Sequence, residues 1–273
     1  MEIEDSELFF LWIDFIFNRR YRDDGLFPKG PPNWTHNEGN PFEDENPFIT
    51  STELLKYVAY LFDNSGSLLM EYSDIQIARG VEYIISGGTS NFCYYVTDRK
   101  EDFNLRLCVY RSIERLYRNC FLKRCTEDGH FRSKLDGVCY DFWDYNGPLG
   151  RIEYDKDGVP GALGYQGRQI LSCVVKYLGD LLAIQHGIVQ LSVIRAFWEL
   201  PDYDINERIA ILDGFISNQL YYDDYVRKSS EDILNILKWV HSKQPTEAKE
   251  KNKQPRTNRE SFLKNSKSRG GRK

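Results

Sequence analysis

The chain has 273 residues, with 36 Lys+Arg, 41 Asp+Glu, four His, six Cys and 14% aromatic residues. That length, at 41% hydrophobic residues, is enough to bury a real core, whereas six Cys are too few for a disulfide scaffold and the 20 glycines follow no collagen period. The net charge of −5 conceals two unlike segments: residues 243–273 hold 11 Lys+Arg against three Asp+Glu, a net of +8, and residues 1–242 hold 25 against 38, a net of −13.

The spacing of Leu8, Leu11, Trp12 and Phe15 predicts a first helix over Asp5–Asn18. Phe9, Phe10, Ile13, Ile16 and Phe17 make it apolar all round, which predicts burial on several sides. Residues 19–49 then carry five of the ten prolines and read as an irregular arm, because proline removes a donor and fixes φ. Thr50-Ser51-Thr52-Glu53 and Ser73-Asp74-Ile75-Gln76 are capping boxes opening two helices, the second stopping at Gly87-Gly88. A long helix is expected over Asn104–Lys123, apolar through Leu105, Val109, Ile113, Leu116, Tyr117 and Cys120, and basic at Arg111, Arg115, Arg118, Lys123 and Arg124.

Residues 125–167 hold eight of the 20 glycines alongside many aromatics, which predicts a packed, irregular loop region with a short strand at Val138–Phe142. Helices resume with the stripe Ile170, Leu171, Val174, Val175, Leu178, Leu181 and Leu182, then Val189–Phe197, a helix capped by Asp204 with Glu207, and a last one opened by Ser229 and Asp232. The apolar content collapses after Trp239, so 243–273 reads as a disordered basic tail. The fold class is all-α: a multi-helix bundle or irregular helical array, a single domain over 1–242 with long irregular insertions.

No window reaches the roughly 20 apolar residues of a membrane span, and acidic residues precede the apolar N-terminal run, unlike a secretory signal. With cysteines set among apolar neighbours, the sequence suggests a cytoplasmic protein. No P-loop, HExxH, GxSxG, CxxC or EF-hand pattern occurs.

The densest set of soft ligands is Cys120, Cys125, His130 and Cys139, types that close a tetrahedral zinc site of the Cys₃His kind, although Cys120 also fits an apolar stripe. Asp136, Asp141 and Asp144 lie among Tyr140, Trp143 and Tyr145, so Asp141 and Asp144 are candidates for paired acid–base work or for a hard cation. His186 is expected to cap a helix C-terminus, where the dipole favours imidazolium. Trp12 and Trp198 read as core anchors.

In the tail, Lys264, Lys267, Arg269, Arg272 and Lys273 would attract phosphate backbones, acidic proteins or the chain's own acidic body. The favoured functional reading is a helical binding protein acting through a macromolecular partner, with Trp143, Tyr145 and the tail as contact residues. One alternative is a metal-dependent hydrolase built on His130, Asp141, Asp144 and His186. Another is a nucleic-acid-associated protein using Arg111, Arg115, Arg118 and the tail.

Overall fold

Many of the helix starts in this chain are set by capping side chains. The computed structural model describes residues 3–18, 20–21, 28–29, 49–86, 92–144, 147–148, 164–200 and 204–243. Helix α1 (Ser6–Phe17) is capped by Asp5, whose carboxylate accepts from the Leu8 N–H at 2.9 Å. Helices α2 (Ser51–Asp63) and α4 (Asp74–Ile85) open at the two capping boxes read from sequence, with the short α3 (Ser65–Leu68) between them. After α5 (Phe92–Tyr95), helix α6 (Phe103–Leu116) starts on Asp102 and runs through a π segment (Tyr117–Phe121) into α7 (Leu122–Arg124), one continuous helix with a widened turn. Helices α8 (Lys134–Asp141), α9 (Tyr165–Leu182), α10 (Gly187–Glu199), α11 (Ile205–Ser217) and α12 (Asp224–Lys243) complete an all-α array. Among the described residues the only β pairing is a two-residue antiparallel ladder of Arg20–Tyr21 with Pro28–Lys29. No helix among them is long and apolar enough to cross a membrane.

Four expectations are corrected. Val138–Phe142 is helical, because Ser133 and Asp136 form a capping box that starts α8 and places Leu135, Val138, Cys139 and Phe142 on one buried face. Helix α12 begins at Asp224, five residues ahead of Ser229, with Asp223 Oδ1 accepting from Val226 N–H at 2.9 Å. Asp204 occupies the start of α11 but in a left-handed conformation (φ 50°), and its side chain makes no capping bond there. Helix α1 is a peripheral helix: Phe9, Trp12, Ile13 and Phe15–Phe17 are buried, while Phe10 and Leu11 are exposed. The Gly87-Gly88 stop, most of the 19–49 arm, Tyr145 and the tail from 244, including Lys264, Lys267, Arg269, Arg272 and Lys273, lie outside the described residues.

Helix α10 is the hub. From Gly187 to Phe197 every side chain but that of Arg195 is buried, and α8, α9 and α12 pack around it. Helix α4 packs on α8 and α1, α2 lies along α6, and α11 closes on α9 and α12. Buried Gln190 joins three chain turns: its amide donates to the carbonyls of Leu182 (3.1 Å), Ile184 (2.9 Å) and Leu220 (2.9 Å), and its Oε1 accepts from Tyr222 N–H (2.8 Å). A buried polar side chain with both ends satisfied fixes one packing arrangement, since any shift strands its groups.

The start of α10 meets the turn before α8 backbone to backbone. Gly187 N–H donates to Glu127 O at 2.6 Å, and a Cβ on Gly187 would stand 2.4 Å from Gly129 N and 2.7 Å from Gly129 Cα. Gly129 itself has φ +71°, the left-handed region that glycine reaches without strain. Gly187→Ala is therefore expected to cost at least ~3 kcal/mol of unfolding free energy in a urea titration. Gly214→Ala on α11, where nothing lies within 4 Å of the added Cβ, should instead gain about 0.5–1 kcal/mol from helix propensity.

Candidate functional site

The turn of residues 125–133 is organised by one carboxylate. Asp136 Oδ1 accepts from Thr126 N–H at 2.7 Å, and Oδ2 accepts from Thr126 Oγ1 (2.9 Å), Arg132 N–H (2.9 Å) and Ser133 N–H (2.8 Å). Burial opposes ionisation of Asp136, but these donors more than offset it and hold its carboxyl below the usual range. Asp136 is thus a structural anchor and not a member of a carboxylate pair.

Helix α8, positioned by this turn, presents Asp141 and, just past its end, Asp144 toward α10. Both pair with Arg195: Nη1 bonds Asp141 Oδ1, and Nη2 stands 3.3 Å from Asp144 Oδ2. Arg195 Nε is 3.9 Å from Glu199, whose carboxyl burial pushes up, with Asp144 adding to the rise and Arg195 opposing it. The Arg195 guanidinium also lies over the Tyr140 ring at 4.8 Å, and Phe131 meets Tyr140 edge-on at 5.1 Å. Phe131 is 49% exposed, and Trp198, one turn beyond Arg195, is 48% exposed, which corrects the expectation that Trp198 is core; Trp12 is buried as expected.

Beside this stack a cleft of about 440 Å³ opens between α4 and α8, lined by Glu82, Ile85, Lys134, Val138, Asp141 and Asp144 among others. Lys134 pairs with Glu82 across it at 2.6 Å. Glu82, Asp141 and Asp144 outnumber Lys134, so the cleft favours cationic groups over an apolar floor of Ile85 and Val138.

The residues singled out by sequence are only partly brought together. Asp141 and Asp144 share the cleft, but His130 and His186 do not line it. His130 is exposed on the 125–133 turn. His186 is 5% exposed and is the N-cap of α10, its Nδ1 accepting from Val189 N–H at 3.4 Å. Capping is the expected role, at the opposite kind of helix end: an acceptor at an N-terminus is a neutral imidazole. Burial accordingly lowers the His186 pKa below its ordinary 6.5, against smaller opposing effects of the Cys125 backbone and Glu127.

Cys120, Cys125 and Cys139 are buried thiols. Cys125 Sγ donates to Leu135 O at 3.8 Å, and contact with Cys139 together with burial pushes its thiol far up; burial pushes Cys120 up to about 12. Among the described residues no three of His, Cys, Asp and Glu are placed to hold a metal ion, so the four-residue zinc set is not assembled. Trp143, expected at a partner surface, is fully buried and stacked on Tyr117 with ring centroids 6.2 Å apart. It packs there because Tyr117, in the π segment, is tied to α10 through Ser192 at 2.7 Å. On the basic helix face, Arg118 is paired with Glu114 at 2.8 Å and Arg124 with Asp74 at 2.8 Å, while Arg111 and Arg115 are exposed.

Arg195, Phe131, Glu82 and Lys134 were not foreseen as site residues. The one signal for Arg195 was a charge inside an otherwise apolar helix. No protein-family model, curated protein or solved structure matches this chain.

Two outcomes follow from the turn. Asp136→Asn keeps the shape but strands buried N–H donors, and is expected to cost about 2–4 kcal/mol by urea unfolding. His186 has a lowered folded pKa, so its contribution to stability is complete above the unfolded value of 6.5 and declines as pH falls below it toward the folded value. Thermal midpoints measured from pH 8 to 5 should drop below pH 6.5, and His186→Asn, a non-titrating cap, should remove that part of the drop.

Proposed function

We propose that this chain works by binding a basic protein partner across the face formed by α8 and α10. The observation that carries this reading is the stack of Phe131, Tyr140 and Arg195 running beside the acid-lined cleft. Exposed aromatic rings and arginine are the residue types enriched at the energetic centres of interfaces, and a rim of Asp141, Asp144 and Glu82 selects a cationic counterpart. The net charge of −13 over residues 1–242 would steer such a partner toward this body before contact.

The same arrangement argues against acid–base catalysis at Asp141 and Asp144. Both carboxylates are held as ion-pair partners by one guanidinium, which leaves the group of three with a net negative charge, and neither histidine stands beside them in the cleft. The six free cysteines, four of them buried, fit a reducing compartment such as the cytoplasm.

A photo-crosslinking residue introduced at Phe131 or Trp198 should capture one and the same protein in cells of the source organism, with none captured from the exposed Ser172 of α9. For the captured partner, the double substitution Asp141→Arg and Asp144→Arg should weaken binding about tenfold or more. Equal adducts from all three positions, or none from Phe131 and Trp198, would contradict the reading.

A further inference from the structure

Arg106, on α6, is 1% exposed and carries a charge without a counter-ion among the described residues. Its Nη1 donates to Thr97 O at 3.1 Å and its Nη2 to Gln166 Oε1, both neutral acceptors, and its Nε–H, also buried, has no acceptor among the described residues. No carboxylate among the described residues forms an ion pair with it. The acids nearest in sequence are committed elsewhere: Asp98 accepts from Lys100 N–H, Glu101 from Ser51 and Thr52, and Asp102 from Leu105 N–H. A buried cation left this way is costly, and an isolated guanidinium cannot relieve the cost by losing its proton.

Its surroundings supply a second, independent donor set. Gln166 sits in the first turn of α9, an 18-residue helix whose N-cap is Gly164, with no side-chain cap and no acidic residue in its first turn. The first intrahelical bond runs from Arg168 N–H to Gly164 O, so the N–H groups of Tyr165, Gln166 and Gly167 are left without an acceptor among the described residues. Gln166 accepts from Nη2, so the guanidinium that carries the unpaired Nε–H lies beside a residue of this first turn. A buried arginine and an uncapped helix N-terminus are joined through Gln166, and both call for negative charge.

We infer that Arg106 and the first turn of α9 form a binding site for a phosphate group, free or as a phosphomonoester. Donors arrive from two directions, the guanidinium edge and three successive backbone N–H groups, which suits the several oxygens of a tetrahedral oxyanion better than the two of a carboxylate. Gln166, bonded to Nη2, holds the guanidinium plane against the helix start. This site is separate from the α8–α10 face and does not rest on the function proposed for it.

The test is calorimetric titration of the intact chain, in chloride buffer of fixed ionic strength, with inorganic phosphate, O-phosphoserine and acetate. Saturable one-site binding of either phosphate compound, tighter than acetate, is expected; the tighter of the two identifies the source of the group. Arg106→Gln should weaken that binding about tenfold or more while leaving the phosphate-free thermal midpoint unchanged or raised, since it removes an uncompensated charge. Gly164→Asp, which keeps Arg106 and supplies a carboxylate at the helix cap, should likewise abolish the phosphate response and raise the phosphate-free midpoint. Absence of saturable phosphate binding to the unsubstituted chain, acetate binding as tight as phosphate, or phosphate binding unchanged in a folded variant would overturn the assignment.

Discussion

The fold depends on a contact in which no side chain can take part. The turn of residues 125–133 and the start of α10 meet at Gly129 and Gly187, close enough that a methyl group on Gly187 would overlap the partner backbone, and Gly187 N–H closes the contact on Glu127 O. On one side of this junction His186 caps α10; on the other, Asp136 gathers the N–H groups of Thr126, Arg132 and Ser133. The polar groups of an irregular turn are thereby satisfied inside the protein, which is the condition for packing a loop against the most buried helix.

That junction sets the geometry of everything on the α8–α10 face. Asp136 belongs to α8 and Gly187 to α10, so the two helices are fixed through one short turn before their other contacts are counted. Farther along, Ser192 on α10 donates to Cys139 O on α8 and meets Tyr117 of the π segment, so the widened turn of α6–α7 is used to bring a hydroxyl into the same seam. At the far end Arg195 spans to Asp141 and Asp144. Surface ion pairs of this kind contribute only about 0–1 kcal/mol each, so Arg195 follows from the docking of α8 on α10 and does not cause it.

What the sequence made legible was what is local. The boxes Thr50–Glu53 and Ser73–Gln76 are read correctly because donor and acceptor are three residues apart and need no tertiary partner. The all-α class and the apolar stripe of α9 were legible for the same reason. The short strand expected at Val138–Phe142 is instead helical, because the signal that decides it, Ser133 with Asp136, lies upstream in a glycine-rich stretch. Gly187 after His186 is the pattern of a helix end, but that glycine serves a crossing with Gly129, 58 positions earlier in the chain. The site residues were least legible. Arg195 finds Asp141 at a separation of 54 residues, and Arg106 finds Gln166 at 60, so only the charge inside an apolar stripe was visible, not its partner.

The most direct measurement of this dependence is native-state hydrogen exchange of the backbone amides of Thr126, Arg132, Ser133 and Gly187. If the junction is the constraint on which α8 and α10 are set, these four amides should exchange only through global unfolding, with the same free energy and denaturant dependence as the central amides of α10 such as Val193. Exchange of Thr126, Arg132 and Ser133 through a low-energy local opening, while the centre of α10 stays protected, would contradict it.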